Sequence, residues 1–341
     1  MKAGRWMLPN GTTDKDMDTS RPHLATRLFN TPLAITPDRI AAIAAMLRDG
    51  RSGSAVLAYD STTAAGQNVA ANRPYQVEAG IAIIPVAGTL IQRSGSLVPF
   101  LDGCMGVVSG YDGIRANLSL AFSDPAVRAI VLDVDSRGGE IAGMLDLSDA
   151  IYASRGIKPL WAILTECAYS AAYGLASACD RVIVPRTGGT GSVGVIVAHT
   201  DFSKALDRAG VAVTLITSGA RKADGSEFKP LSREAYLRIK ADIDTLGELF
   251  IRTVARNRGL AVSKVRATQG ATYLGGSGLT VGFADAVMSP DAAFARLLGR
   301  LDRPIDQPAQ RGTPTGRSAR RASGKSWSRT AYQAEIARAF R

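Results

Sequence analysis

Histidine and cysteine are scarce in this 341-residue chain, with two of the first and three of the second. The cysteines, Cys104, Cys167 and Cys179, are odd in number and show no C-x-x-C spacing. That excludes a disulfide framework and a cysteine zinc site, and it fits a reducing compartment. Two histidines, His23 and His199, leave nothing for His-based zinc chemistry. A Ser-His-Asp triad needs a histidine beside an activated serine, and nothing near His199 resembles a nucleophile elbow. Long apolar runs are also missing: none approaches the ~18 residues of a membrane-spanning helix. The first twenty residues hold no apolar stretch of the kind a secretory signal carries, so a cytoplasmic protein is expected. No metal or cofactor is expected.

What is present is an ordinary globular balance, 46% hydrophobic and 21% charged residues, enough to bury a core. The formal net charge is +11. Much of it sits in residues 302–341: from Arg303 to Arg341, nine Lys/Arg face two acids among Pro, Gly and Ser. That segment reads as a disordered, solvating tail. An arm for nucleic acid is the weaker reading, because no aromatic–basic interleaving accompanies the charge, and no nucleic-acid partner is expected.

Three segments follow from the texture of the chain. Residues 1–78 form an extension with one helix, opened by Thr36-Pro37 as N-cap and first turn, carried by Ile40, Ile43, Ala44 and Leu47, and ended at Gly50. Residues 51–78 read as a linker. Residues 79–301 alternate apolar β-rich runs (81–88, 129–135, 160–165, 181–184, 193–199 and 211–217) with helical stretches near 111–122, 140–154, 170–178, 201–209 and 232–258. Continuous apolar strands between helices predict an α/β domain with a parallel sheet covered on both faces.

The chemistry concentrates in four places. DSRGGE (135–140) follows the strongest strand; its paired glycines let backbone N–H groups approach a ligand, as an oxyanion hole requires. CAYSAAYGLAS (167–177) puts Ser170 among small residues where a helix begins, which suits either a nucleophile or a plain helix cap. GGTGSVG (188–194) contains G-x-G-x-x-G, but a strand is expected after it rather than a helix, so it is a turn and not a dinucleotide site. TSGARKADG (217–225) carries Lys222 beside Arg221. Burial can make a lysine a base at neutral pH, yet composition alone does not separate the two residues or exclude a solvated loop lysine.

In this order, DSRGG, AYSAAY, TGSVGV and SGARK resemble the signal peptide peptidase A family of Ser–Lys peptidases over roughly residues 80–290. The resemblance implies a ClpP/crotonase-like α/β fold with a parallel sheet and flanking helices. It also implies Ser170 as nucleophile, Lys222 as general base, Gly138 or Gly139 with the Ala171 N–H as oxyanion hole, and Ser192 as the residue orienting the lysine. Arg137 stands where the family often has Pro, and Ala171-Ala172 where it often has Gly-Gly. RLFNTPLAITPDRI (27–40), GYDGIRANL (110–118) and VPRTGGTGSVGV (184–195) look like the phage head-maturation branch, of the minor capsid protein C type. That branch implies an endopeptidase acting on scaffold or capsid proteins, in a homo-oligomer. The other readings are a host-type peptidase degrading peptide fragments, an assembly scaffold with a silent site, and, least supported, an acyl-CoA crotonase.

Overall fold

The computed structural model describes residues 31–38, 40, 73–93 and 108–302. The continuation of the expected N-terminal helix beyond Ile40, most of the linker and the basic tail lie outside them. In chain order the first elements are β1 (Leu33–Ile35), β2 (Gln76–Glu78), β3 (Ile81–Ala87), β4 (Thr89–Ile91), β5 (Val108–Gly110) and α1 (Tyr111–Ser123). There follow β6 (Ala129–Ser136), β7 (Gly138–Glu140), α2 (Met144–Ala153), β8 (Leu160–Tyr169) and α3 (Ala171–Ser177). The chain continues through β9 (Arg181–Val184), β10 (Gly189–Gly191), α4 (Ser203–Arg208), α5 (Arg233–Arg258) and α6 (Val262–Arg266). It closes with β11 (Thr272–Leu274), α7 (Gly275–Val281), β12 (Ala286–Val287) and α8 (Pro290–Leu301).

The main sheet is built on parallel pairs, β3 with β6, β6 with β8 and β8 with β9. The stretches Ala129–Leu132 of β6, Leu160–Leu164 of β8 and Val182–Val184 of β9 are continuous apolar runs because both faces are buried there. Alternate residues point to opposite sides. Ile130, Leu132 and Val134 of β6 and Leu160, Ala162 and Leu164 of β8 enter the large core with α1, α2, α3 and α5. Their neighbours Ala129, Val131, Trp161 and Ile163 pack with Ala293 and Leu297 of α8 on the other face. This is the mixed α/β, parallel-sheet architecture expected of a ClpP/crotonase-like fold. The long helix α5 begins at Ser232, whose side chain accepts from the Ala235 N–H, and ends at the left-handed Gly259.

A smaller sheet, ordered β1-β7-β4-β5, sits at the end where β6 and β8 terminate. The strands of the two sheets correct two expectations. The glycine turn does not pass directly into a helix: Gly138–Glu140 form β7, and α2 starts only at Met144. The last residues of the expected linker form β2, antiparallel to β3. Two expected strands are not regular strands either. Within 193–199 Ile196 forms an isolated antiparallel bridge to Leu33. Residues 211–217 are irregular and exposed, since among the described residues no strand pairs with them.

Candidate active site

Ser170 lies at the junction between β8 and α3. Its backbone is at φ 54°, ψ −120°, a positive φ that is strained for a residue with a Cβ. The strain is held from both sides. Ahead of it, Cys167–Tyr169 pair in parallel with β10, and the Ser170 N–H donates to the Gly191 carbonyl at 2.8 Å. Behind it, every residue of α3 is buried. Close approach is needed at Gly174, where a Cβ would collide with the Met144 sulfur, while Tyr173 and Leu175 fill the core.

The alternative that Ser170 serves as a helix cap is not realised: its side chain makes no capping hydrogen bond. The hydroxyl oxygen is buried and has no hydrogen-bond partner. Leaving a buried hydroxyl unpaired costs free energy, and such groups in folded proteins point to a role beyond packing. Among the described residues no hydrogen bond joins the Ser170 hydroxyl to a histidine.

The glycine turn lies against this serine. Gly138 has φ 99°, and the position a Cβ would take there is 3.0 Å from the Ser170 Cβ and in collision with the Ala34 carbonyl oxygen. At Gly139 a Cβ would run into the backbone of Leu90. Glycine is therefore required at both positions, for conformation at the first and for close strand approach at the second. The Gly138 N–H is occupied, donating to the Ser136 hydroxyl at 3.1 Å. That hydroxyl in turn donates to the Gly88 carbonyl at 2.7 Å. The Ala171 N–H is the first of α3 and has no carbonyl one turn back to donate to.

Ser192 sits immediately after Gly191 in the turn that receives the Ser170 N–H. It too has a positive φ, 56°, and its N–H donates to the Ala271 carbonyl at 2.8 Å. Among the described residues no hydrogen bond joins Lys222 to Ser170. The lysine lies exposed in a turn closed by its N–H to the Gly219 carbonyl at 3.1 Å, and the Ser170 hydroxyl has no partner. Thus Ser170, Gly138, Gly139, Ala171 and Ser192 gather at one end of the sheet, and Lys222 lies on an exposed turn.

Three features of the site were not foreseen. Cys167, three residues before Ser170, is a thiol that burial and the neighbouring Asp135 push up to about 12, which disfavours its thiolate. Glu140, next to the glycines, is buried and accepts from the Gln92 N–H at 2.8 Å. Arg155 closes the far end of α3: its guanidinium donates to the carbonyls of Ala178, Cys179, Ser177 and Asn257 at 2.7–3.0 Å. The Asn257 amide adds bonds to the hydroxyls of Ser148 and Ser177, both at 3.0 Å. An arginine just past a helix gives no sequence signal for such a clamp.

Among the described residues no group of three or more His, Cys, Asp or Glu is placed to hold a metal ion. Among the same residues no helix is long and apolar enough to cross a membrane.

The arrangement is that of an α/β protein with a buried, strained serine on a strand-to-helix junction beside a glycine turn. Residues 153–301 match the family described as peptidase family S49. The chain is 41% identical over 230 residues to head-tail preconnector protein GP5 of Enterobacteria phage P21, covering 67% of this chain and 45% of that protein. It is 35% identical over 295 residues to capsid assembly protease C of Escherichia phage lambda, covering 82% of this chain and 66% of that protein. The chain thus belongs to peptidase family S49. It spans about half to two thirds of the length of these two relatives. A solved membrane-bound stomatin-specific protease is similar at 12% identity, with a TM-score of 0.41, covering 63% of this chain and 82% of that one.

Proposed function

We propose that this chain is a serine endopeptidase that cleaves scaffold or capsid proteins of a phage head, with Ser170 as nucleophile and Lys222 as general base. The observation that carries the reading is the Ser170 hydroxyl: buried, without a partner, on a strained backbone beside a glycine turn. Ser170 Oγ attacks the scissile carbonyl, and the Lys222 amine takes the hydroxyl proton. The tetrahedral oxyanion is held by the N–H groups of Gly139 and Ala171, because that of Gly138 is already spent on Ser136. Lys222 returns the proton to the leaving amine as the acyl-enzyme forms, and water then releases the acyl group by the reverse path. Ser192, one residue beyond the carbonyl that fixes Ser170, orients the lysine.

The capsid context comes from the relative named as a capsid assembly protease. The active form is a homo-oligomer. Residues 209–222 are all exposed in the single chain, and they include Ile216, 94% exposed. A second copy covering this segment would exclude water from around Lys222. Mass spectrometry of neighbouring head proteins co-expressed with the wild-type, Ser170→Ala or Lys222→Ala chain tests the reading. Processing by the wild type and by neither variant is expected. Equal processing by Ser170→Ala would overturn the catalytic assignment.

A further inference from the structure

The strand β1 reaches the site from far away in sequence and stops beside Ser170. Its three residues are inserted between two other segments and bonded to both. On one side it runs antiparallel to β7, with Leu33 opposite Glu140, Ala34 opposite Gly139 and Ile35 opposite Gly138. On the other side the Leu33 N–H and carbonyl exchange bonds with Ile196, both at 2.8 Å. All three side chains are buried, at 3%, 0% and 4% exposure.

The register fixes which groups β1 uses. In an antiparallel pair, hydrogen-bonded residue pairs alternate with non-bonded ones. The Thr36 N–H donates to the Arg137 carbonyl at 3.1 Å, so the next bonded pair is Ala34 with Gly139. The Ala34 carbonyl therefore takes the Gly139 N–H, one of the two donors assigned above to the oxyanion. The same carbonyl oxygen crowds the Cβ position of Gly138, which is 3.0 Å from the Ser170 Cβ. A peptide carbonyl thus already lies over the glycine turn, within reach of the serine.

A peptidase that receives an extended chain bonds its main chain along an exposed strand edge. Here β7 offers such an edge beside Ser170. Its other edge is closed by β4, which pairs with it at Leu90 and Gly139. The open edge is the one β1 fills. Resting on the reading of Ser170 as nucleophile, we infer that residues 33–36 occupy the substrate groove as an intramolecular stand-in, which substrate must displace.

Two consequences follow. Release of β1 opens the groove and frees the Gly139 N–H in one event, so an intact resting chain is latent. The strand also shows the chemistry the groove accepts: an extended segment with a small residue at the Ala34 position between larger apolar ones. Beyond Thr36 the chain turns away into a helical turn, marked by the Ile40 N–H to the Thr36 carbonyl at 3.3 Å. The strap is fastened there by the exposed ion pair Arg137–Asp38 at 3.0 Å, which holds weakly.

The test uses the full chain and a serine-directed fluorophosphonate, whose rate of attachment reads access to Ser170. Ala34→Pro removes the second N–H of the β1–β7 pairing; Thr36→Pro, a milder change, removes the bond to Arg137 and serves if the first variant does not fold. Folding is checked by circular dichroism and a cooperative melt. Labelling about ten-fold faster than in the wild type is expected of the folded variant, since the rate scales with the fraction of open molecules. A synthetic peptide of residues 30–38 should return that rate towards the wild-type value. A folded variant labelled at the wild-type rate, or one indifferent to the peptide, would overturn the inference. Fluorescence anisotropy of the labelled peptide on Ser170→Ala/Ala34→Pro reads occupancy without chemistry. Peptide binding there, with no labelling of any chain that retains Ser170, would sink the nucleophile and leave the occupancy standing. Labelling without peptide binding would do the reverse.

Discussion

The Ser170 N–H and the Gly191 carbonyl, 2.8 Å apart, tie the strained residue of the site to the turn that carries Ser192. The bond explains how a serine is kept at positive φ: the pairing of β8 with β10 fixes the backbone before it, and α3 fixes the backbone after it. Two positive-φ residues that are not glycine, Ser170 and Ser192, therefore face each other across this junction.

Strain held for function should be measurable as stability lost. Replacing Ser170 by glycine relieves the positive φ, worth roughly 1–2 kcal/mol, less the entropy that glycine gives back to the unfolded chain. Ser170→Gly is expected to melt at or above the wild-type temperature, and above Ser170→Ala, which keeps the strain. Both should be inactive. Differential scanning calorimetry of the three chains decides it; a Ser170→Gly protein melting below Ser170→Ala would show that the backbone is not strained there.

The exposed segment at 209–222 makes a second expectation. Ile216 contributes little to the fold of the single chain, being 94% exposed. Ile216→Asp should leave the melting of the isolated chain within about 0.5 kcal/mol of wild type, because it removes no buried contact. Sedimentation velocity should show loss of the assembly, and peptidase activity should fall with it. An assembly unaffected by the charge would place the subunit contact elsewhere.

These features differ in how far the residues announced them. The parallel sheet was legible because the first halves of β6 (AIVL) and β8 (LWAIL), and VIV of β9, are short continuous apolar runs, as strand segments buried on both faces must be. Ser170 was legible as a candidate, since small residues after a strand are unusual enough to notice. The strand β1 was not: LAI between Pro32 and Thr36-Pro37 is three residues long, and its partner Gly139 lies 105 positions away (139 against 34). The turn DSRGGE hid β7, because two glycines read as a bend unless another backbone is known to press against them. At 211–217 the apolar run VAVTLIT promised a strand, yet among the described residues it pairs with no strand and is exposed.

The clamp at the far end of α3 should govern how firmly Ser170 is held. The Arg155 guanidinium satisfies four carbonyls from residues 22–102 positions away. Arg155→Met keeps much of the stem and leaves those carbonyls unpaired, at an expected cost of about 3 kcal/mol or more. Arg155→Lys should recover little of it, since one ammonium cannot spread over a planar fan of acceptors. Urea denaturation of the two variants measures both values. Equal stability of Arg155→Lys and wild type would reduce the clamp to a point charge.

Acid sensitivity has a definite source at the C-terminal end of α5, one residue beyond Asn257. Burial raises the Asp285 carboxyl, but its hydrogen bond and charge pairing with Arg258, and the Val182 N–H it accepts at 2.7 Å, outweigh that and hold it below the usual carboxylate value. The Arg258 contact is 2.9 Å, with the arginine almost wholly buried. A carboxyl lowered in the folded state binds protons more weakly than in the unfolded chain. Its contribution is therefore complete above the ordinary carboxylate range, about 4, and drains away as the pH falls through the lower folded value. Asp285→Asn should cost about 2 kcal/mol at neutral pH, as expected for losing a charge-assisted bond that is partly exposed. The gap between variant and wild type should narrow steadily as urea melts are repeated from pH 5 downwards. A gap that stays constant with pH would show that Asp285 acts through its shape and neutral hydrogen bonds rather than through its charge.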